Sequence, residues 1–131
     1  MRRVALAEVR LTGVVLANAA LEDVTFTGCR LDLANLRFAR LTRVRFESCA
    51  MAEIDLQDAV LEDVELVGCD LTGARLAAAA LAGCTFRRCR LAGLVNAERL
   101  AGARMTVSDA LAAVETLAAA AGIELLPDAG D

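Results

Sequence analysis

Three successive stretches decide the fold when set beneath one another: VTFTGCRLDLANLRFARLTR (residues 24–43), VRFESCAMAEIDLQDAVLED (residues 44–63) and VELVGCDLTGARLAAAALAG (residues 64–83). Reading down, Phe26, Phe46 and Leu66 align, as do Cys29, Cys49 and Cys69, and then Ala39, Ala59 and Ala79. Each stretch of twenty holds four units of five. In every unit a large apolar residue stands at the centre, and a small or β-branched apolar residue stands two positions before it. Outward from this block the rule runs from Val4 and Leu6 to Cys89 and Leu91, eighteen consecutive units without a slip.

Neither a helix, with a period of 3.6, nor a flat strand, with a period of 2, produces such a series. A five-residue period with two inward positions fits a chain that turns a corner in every unit. Four corners close a coil of twenty residues, and the period of twenty then gives each face its own residue style. One face carries Leu6, Phe26, Phe46, Leu66 and Phe86. The next carries Cys29, Cys49, Cys69 and Cys89 beneath Val9. This reading is an all-β solenoid of four sides, with about four to five coils stacked at the ~4.8 Å spacing of hydrogen-bonded strands. Six glycines (Gly13, Gly28, Gly68, Gly73, Gly83 and Gly93) fall two residues after a centre, where tight corners favour glycine.

The repeat resembles the pentapeptide-repeat family, whose unit is A(D/N)LXX with Leu or Phe at the centre. The resemblance covers Val4 to Leu91 and implies a right-handed quadrilateral β-helix. The ending, Gly102-Ala103-Arg104-Met105-Thr106 through Ala121-Gly122-Ile123-Glu124, is similar to the terminal helix of actinobacterial-type members. Members of that type commonly pair at this end, so the resemblance also implies a homodimer.

After Leu91 the pattern changes. Asn96 falls where a centre is due, and Leu100 and Met105 restart the fives with a slip, so the last coil is expected to be incomplete. The chain divides into a β-helix over residues 1–105 and a capping helix with a short tail over residues 106–131. Thr106 or Ser108 can cap the helix, with Asp109 in its first turn. At helical spacing Val107, Leu111, Val114, Leu117 and Ala118 share one face, expected to cover the last coil. The opposite face, Ala112, Ala113, Ala119 and Ala120, is small and uncharged and is the expected dimer face. Gly122 and Pro127 end the helix, with a short strand over Ile123–Leu126 between them. Nothing comparable precedes Val4. Either the chain is the back portion of a longer protein, or its first coil packs against something.

Composition narrows function. The chain has 131 residues, 57% hydrophobic, with a net charge of −4 and a pI near 4.9. It has no His, Lys, Trp or Tyr, and all fourteen basic residues are arginine. Ser-His and Cys-His pairs, imidazole metal sites, Schiff bases and the P-loop lysine are therefore excluded. Ser48 and Ser108 lack an evident base, so no catalytic, cofactor or metal site is expected. The longest uncharged runs, Leu11–Leu21 and Leu76–Phe86, fall short of the ~20 apolar residues of a membrane span. Glu8 and Arg10 interrupt any leader-like stretch, which points to a cytoplasmic location. Nucleic-acid binding is disfavoured by the acidic balance and the lack of a Tyr or Trp stacking platform.

Two outward features remain. Acids gather at Glu53, Asp55, Asp58, Glu62, Asp63 and Glu65, with Asp70 beyond. Some relatives by resemblance, the quinolone-resistance proteins, imitate duplex DNA and occupy DNA gyrase, so mimicry is one reading of this cluster. Charge pairing between coils is the other. Residues twenty apart are neighbours, which sets Asp23, Arg43 and Asp63 in one column, Arg45 beside Glu65, and Asp70 beside Arg90. Leu33 and Phe38 are large, apolar and expected to point outward on adjacent corners, with Val60 and Val67 elsewhere. The resulting expectation is a non-enzymatic scaffold or protein-binding module whose partner no motif names, with gyrase as the alternative.

Overall fold

The computed structural model describes residues 3–128, so the extreme ends of both expected parts lie outside the described residues. Nine short strands alternate around the rod: β1 (Val4–Ala7), β2 (Ala20–Glu22), β3 (Val24–Thr27), β4 (Arg40–Thr42), β5 (Arg45–Glu47), β6 (Val60–Glu62), β7 (Val64–Val67), β8 (Cys84–Arg87) and β9 (Arg104–Met105). They form two parallel sheets, β1-β3-β5-β7-β8-β9 on the first face and β2-β4-β6 on the fourth. The second and third faces are held by single pairings such as Arg30 with Ala50 and Asn35 with Asp55. The expected solenoid of about five turns is thus borne out.

The register is twenty residues wherever the regular coils meet: Leu6 pairs with Phe26, Leu41 with Leu61, and Leu66 with Phe86. Backbone groups reach both ways, as a parallel ladder requires. Leu31 donates its N–H to Ala50 of the next coil at 2.7 Å, and Ala50 returns its own to Cys29 at 3.0 Å. On the second and third faces the corner is a tight turn, for example Ala34 N–H to Leu31 carbonyl at 3.1 Å. The third residue of that turn takes positive φ, as a type II turn demands. The same left-handed position recurs around the coil, and where it is not glycine it is filled by residues such as Asn18, Leu33, Phe38, Asp58 and Ala78.

Both inward series are buried throughout from Val24 to Leu91. In the first coil Leu6, Leu11, Leu16 and Leu21 are only partly buried, because a single neighbouring coil covers them. Like residues stack on like: the rings of Phe26 and Phe46 lie 5.0 Å apart and within 6° of parallel. The void among the leucines of the later coils is about 10 Å³. That is at the threshold for one water, far below a ligand site. All five cysteines are free and buried. The thiols of Cys29, Cys49, Cys69 and Cys89 each donate to a carbonyl of the preceding coil, at 3.3–3.4 Å. Burial alone pushes the Cys84 thiol up to about 12.

The last coil is one residue short. Phe86 pairs with Met105 and Thr85 with Arg104, a step of nineteen. The lost residue is taken up where Asn96 turns left-handed (φ 63°) and Ala97–Leu100 winds into a 3₁₀ turn, burying Ala97 and Leu100. The cap follows as two short helices, α1 (Val107–Ala112) and α2 (Val114–Ala120), broken at Ala113. Thr106 is the N-cap, its hydroxyl accepting from the Asp109 N–H at 3.1 Å. Side chains of the cap and of the 3₁₀ turn satisfy backbone groups of the last coils. The Asp109 carboxylate accepts from Cys89 N–H at 3.4 Å, Thr116 Oγ1 accepts from Gly93 N–H at 3.3 Å, and Arg99 Nε donates to the Ala79 carbonyl at 2.8 Å.

Several expectations need correcting. The expected inner face is split: Leu117 and Ala118 do pack on the coil, together with Asp109 and Ala113, while Val107, Leu111 and Val114 are exposed. The first helix approaches the flat end rung with Asp109, which leaves Val107 and Leu111 outside, and only the second turns a leucine, Leu117, to the coil. Gly122 does end the helix, in a Schellman arrangement with Ile123 N–H reaching the Ala118 carbonyl at 2.8 Å. The strand over Ile123–Leu126 does not form. Val67 is buried rather than outward, at a register position between Glu47 and Arg87. No helix among the described residues is long and apolar enough to cross a membrane.

Gly83 is the one corner glycine without left-handed φ; an added Cβ would lie 2.9 Å from the Asp63 nitrogen. Gly83→Ala should therefore cost about 1–3 kcal/mol through overpacking. Ala78, held at φ 55°, offers the opposite sign: Ala78→Gly should be neutral or stabilising by less than ~1 kcal/mol, since relieved strain exceeds the added chain entropy. Urea unfolding midpoints of the two variants check both. For the thiols, titration of native protein should find little reactivity, and titration in denaturant should find all five. A disulfide in the mass spectrum would contradict the packing role.

Candidate interaction surface

Because the interior is filled, chemistry is confined to the outward positions. Each unit offers three: the residue before the centre, the residue after it, and the corner. Their neighbours lie twenty residues away, so a surface is read down columns.

Leu33 and Phe38 stand on the two edges of the third face, 58% and 57% exposed, at φ 60° and 61°. In the next coil the same two corners hold Glu53 and Asp58. Asp55 lies between them, 3.4 Å from Arg37 Nε, and accepts the Gln57 N–H at 3.1 Å. The fold therefore gathers Leu33, Phe38, Glu53, Asp55 and Asp58 around one face. Glu62 belongs to the fourth face, at the end of β6, and Asp63 to the corner beyond it.

Pairing between coils follows the register in part. Arg45 reaches Glu65 of the next coil at 2.5 Å and Glu47 of its own at 3.5 Å. Arg43 turns back to the preceding coil, to Asp23 at 2.8 Å and to Glu22. Its guanidinium, hydrogen-bonded to the Asp23 carboxylate, holds that group below the usual carboxylate range. Asp70 is likewise held low, first by the hydrogen bonds it accepts from Thr72. Exposed pairs of this kind contribute about 0–1 kcal/mol each. Among the described residues no ion pair reaches Glu53, Asp58, Glu62 or Asp63, so the Asp23, Arg43, Asp63 column is paired on one side only.

At the cap, the four alanines of the expected dimer face do not share one environment. Ala112 and Ala119 are exposed, Ala113 is buried against the coil, and Ala120 packs partly against the core. The outward apolar stripe is instead Val107, Leu111 and Val114, one helical turn apart. Helical periodicity groups these three with Leu117 and Ala118, which the break at Ala113 places on the coil instead. A second surface escapes a search for acids: Arg104 and Arg87 on the first face, Arg88 at its corner and Arg90 on the second face form a run of exposed arginines in the last coils. Their proximity needs the nineteen-residue register, which brings Arg104 beside Thr85. No group of three or more Cys, Asp or Glu among the described residues is placed to hold a metal ion.

No curated protein matches the chain by sequence. Among solved structures, it is similar to QnrB1, a plasmid-mediated fluoroquinolone resistance protein, at 15% identity over 94% of this chain and 87% of that one, with a TM-score of 0.37. It is also similar to the pentapeptide-repeat protein Rfr23 from the cyanobacterium Cyanothece 51142, at 20% identity over 79% of this chain and 85% of that one, with a TM-score of 0.47. The family pattern described as a pentapeptide repeat region matches residues 39–96, and that of eight pentapeptide repeats matches residues 1–37 and 10–47. With the five-residue rule unbroken beneath those matches, the chain belongs to the pentapeptide-repeat family.

Proposed function

We propose that the chain is a non-enzymatic protein-binding module that pairs with a second copy through its C-terminal end. The observation that carries this reading is the distribution of exposed apolar residues. Of the eleven large hydrophobics exposed among the described residues, six lie in the last stretch: Val107, Leu111, Val114, Ile123, Leu125 and Leu126. Contiguous apolar surface on a soluble chain marks a contact site. Around the solenoid itself, exposed apolar residues are sparse, and Leu33 with Phe38 is the pair set closest on adjacent corners. Residues 1–105 then serve as a rigid display rod and residues 106–131 as the coupling end. A filled interior leaves the outer faces as the means of recognition, which favours binding over catalysis.

The unpaired acids favour a second reading, binding to DNA gyrase as a mimic of duplex DNA. Glu53, Asp58, Glu62 and Asp63 carry charge that the fold does not use. Against it, the acids occupy little more than one coil, roughly 5–10 Å of the rod. Duplex DNA carries a charge about every 1.7 Å along its whole length.

Two measurements separate these readings. Light scattering should give a dimer for the parent and a folded monomer for Val107→Glu with Leu111→Glu, whose side chains the coil does not need. A monomeric parent, or a dimer indifferent to both charges, would end the pairing proposal. In a supercoiling assay with purified gyrase, no inhibition and no protection from a quinolone at micromolar protein is expected. Either effect would promote the mimic.

A further inference from the structure

The charges of this chain are banded. Residues 46–74 contain eight acids (Glu47, Glu53, Asp55, Asp58, Glu62, Asp63, Glu65 and Asp70) and no arginine. Residues 75–104 contain six arginines (Arg75, Arg87, Arg88, Arg90, Arg99 and Arg104) and one acid, Glu98. Winding converts these runs into belts, an acidic one directly below a basic one. Within the basic belt, four arginines follow one another from the first face around its corner onto the second. Arg87 ends β8, Arg88 is the left-handed corner at φ 52°, Arg90 opens the second face, and Arg104 in β9 lies beside Thr85.

Neighbouring acids neutralise little of this edge, although Arg90 adds weakly to the hydrogen bonds that hold the Asp70 carboxyl low. Glu65 is engaged by Arg45 at 2.5 Å. Asp70 pairs with Arg90 through the backbone, yet its carboxylate accepts from Thr72, at 3.0 Å from N–H and 2.6 Å from the hydroxyl. Among the described residues no ion pair reaches Arg87, Arg88, Arg90 or Arg104. Like charges set this close repel one another, and solubility alone is better met by mixing signs. Lower on the rod the chain does mix them, through Arg37 with Asp55, Arg43 with Asp23 and Arg45 with Glu65. Beside the edge lies a depression of about 440 Å³ lined by Arg87, Arg104, Thr85, Thr106, Glu65 and the end of the core. Two guanidiniums and two hydroxyls thus border a shelf open to solvent.

We propose that the edge formed by Arg87, Arg88, Arg90 and Arg104 is a docking site for a short acidic segment of a partner protein. The proposal rests on the protein-binding reading above and names the chemistry of one partner. Guanidinium forks match carboxylates bidentately, which gives direction as well as charge. The belt below sets the length. A polyanion running down this edge through the columns of Arg87 and Arg90, such as duplex or single-stranded nucleic acid, would leave the arginines within one coil, pass Asp70 and Glu47, and meet no further arginine in those columns before Arg30. The chain also lacks the Tyr and Trp platforms on which unpaired bases stack. A few carboxylates laid across this run meet four arginines and a single acid, Glu65, already engaged by Arg45.

The test uses the full chain and a fluorescein-labelled hexaglutamate peptide, followed by anisotropy at low salt and again at ~0.15 M, where screening is near 8 Å. Saturable binding that weakens with salt is expected for the parent. Arg88→Glu with Arg90→Glu should weaken it at least tenfold, about 1.4 kcal/mol. Arg10→Glu with Arg30→Glu changes net charge equally, at the far end of the second face, and should leave it within about twofold of the parent, well under 1 kcal/mol. Circular dichroism confirms that both variants fold. The proposal is overturned by absence of saturable binding, by equal loss in both variants, or by tighter binding of an oligonucleotide of equal charge. Light scattering on the same samples reports pairing separately, so an intact dimer without peptide binding removes this site alone.

Discussion

Coil-to-coil backbone pairing at a step of twenty residues is the constraint on which everything else depends. It fixes Leu6 on Phe26, Leu41 on Leu61 and Leu66 on Phe86, and so requires each face to be apolar inward in every coil. Because the sheets are parallel and in register, a side chain meets its own positional homologue above and below. That is why phenylalanines stack, why thiols form a column, and why an exposed arginine finds a carboxylate only where one stands close to the same column. Where the step drops to nineteen, between Phe86 and Met105, the columns end and the cap begins.

The solenoid was legible because its signal is redundant. Eighteen units repeat one rule, and an error at one position, such as outward Val67 proving buried, leaves the frame intact. The corners were legible for a chemical reason: positive φ selects glycine, and six glycines mark the position. Gly83 fits that pattern but for a different cause, the closeness of the coil below rather than its own backbone angle. The cap was legible in outline only. Thr106, Asp109 and Gly122 announce its ends, since capping is a local interaction. Its orientation is a tertiary matter. Hydrophobic periodicity assumes that large apolar residues face inward, whereas a flat rung approached closely accepts Asp109, Ala113 and Ala118 and turns Val107, Leu111 and Val114 out.

The surface features were legible in proportion to how little they depend on register. Leu33 and Phe38 need only the corner rule to be placed outside. The acids needed the column rule, which placed Glu65 with Arg45 but assigned Asp63 a partner, Arg43, whose guanidinium turns to the other side. The arginine edge was hardest to see, since Arg104 joins Arg87, Arg88 and Arg90 only through the one-residue slip.

The five-residue unit has a consequence for how such a chain can change in length. Gain or loss of a single residue within the regular coils throws both inward series out of phase at once, and the one place where a residue is dropped needs the 3₁₀ turn of Ala97–Leu100 to absorb it, after which the coils end. Gain or loss of a whole unit keeps them in phase, because every face asks for the same two residue classes. It does, however, rotate all later coils by one face relative to the earlier ones. The third-face patch around Leu33 and Phe38 and the terminal arginine edge would then keep their own geometry while changing their angle to each other. Only steps of twenty preserve that angle, so the relative bearing of two surfaces on this rod is set by arithmetic in the chain length between them.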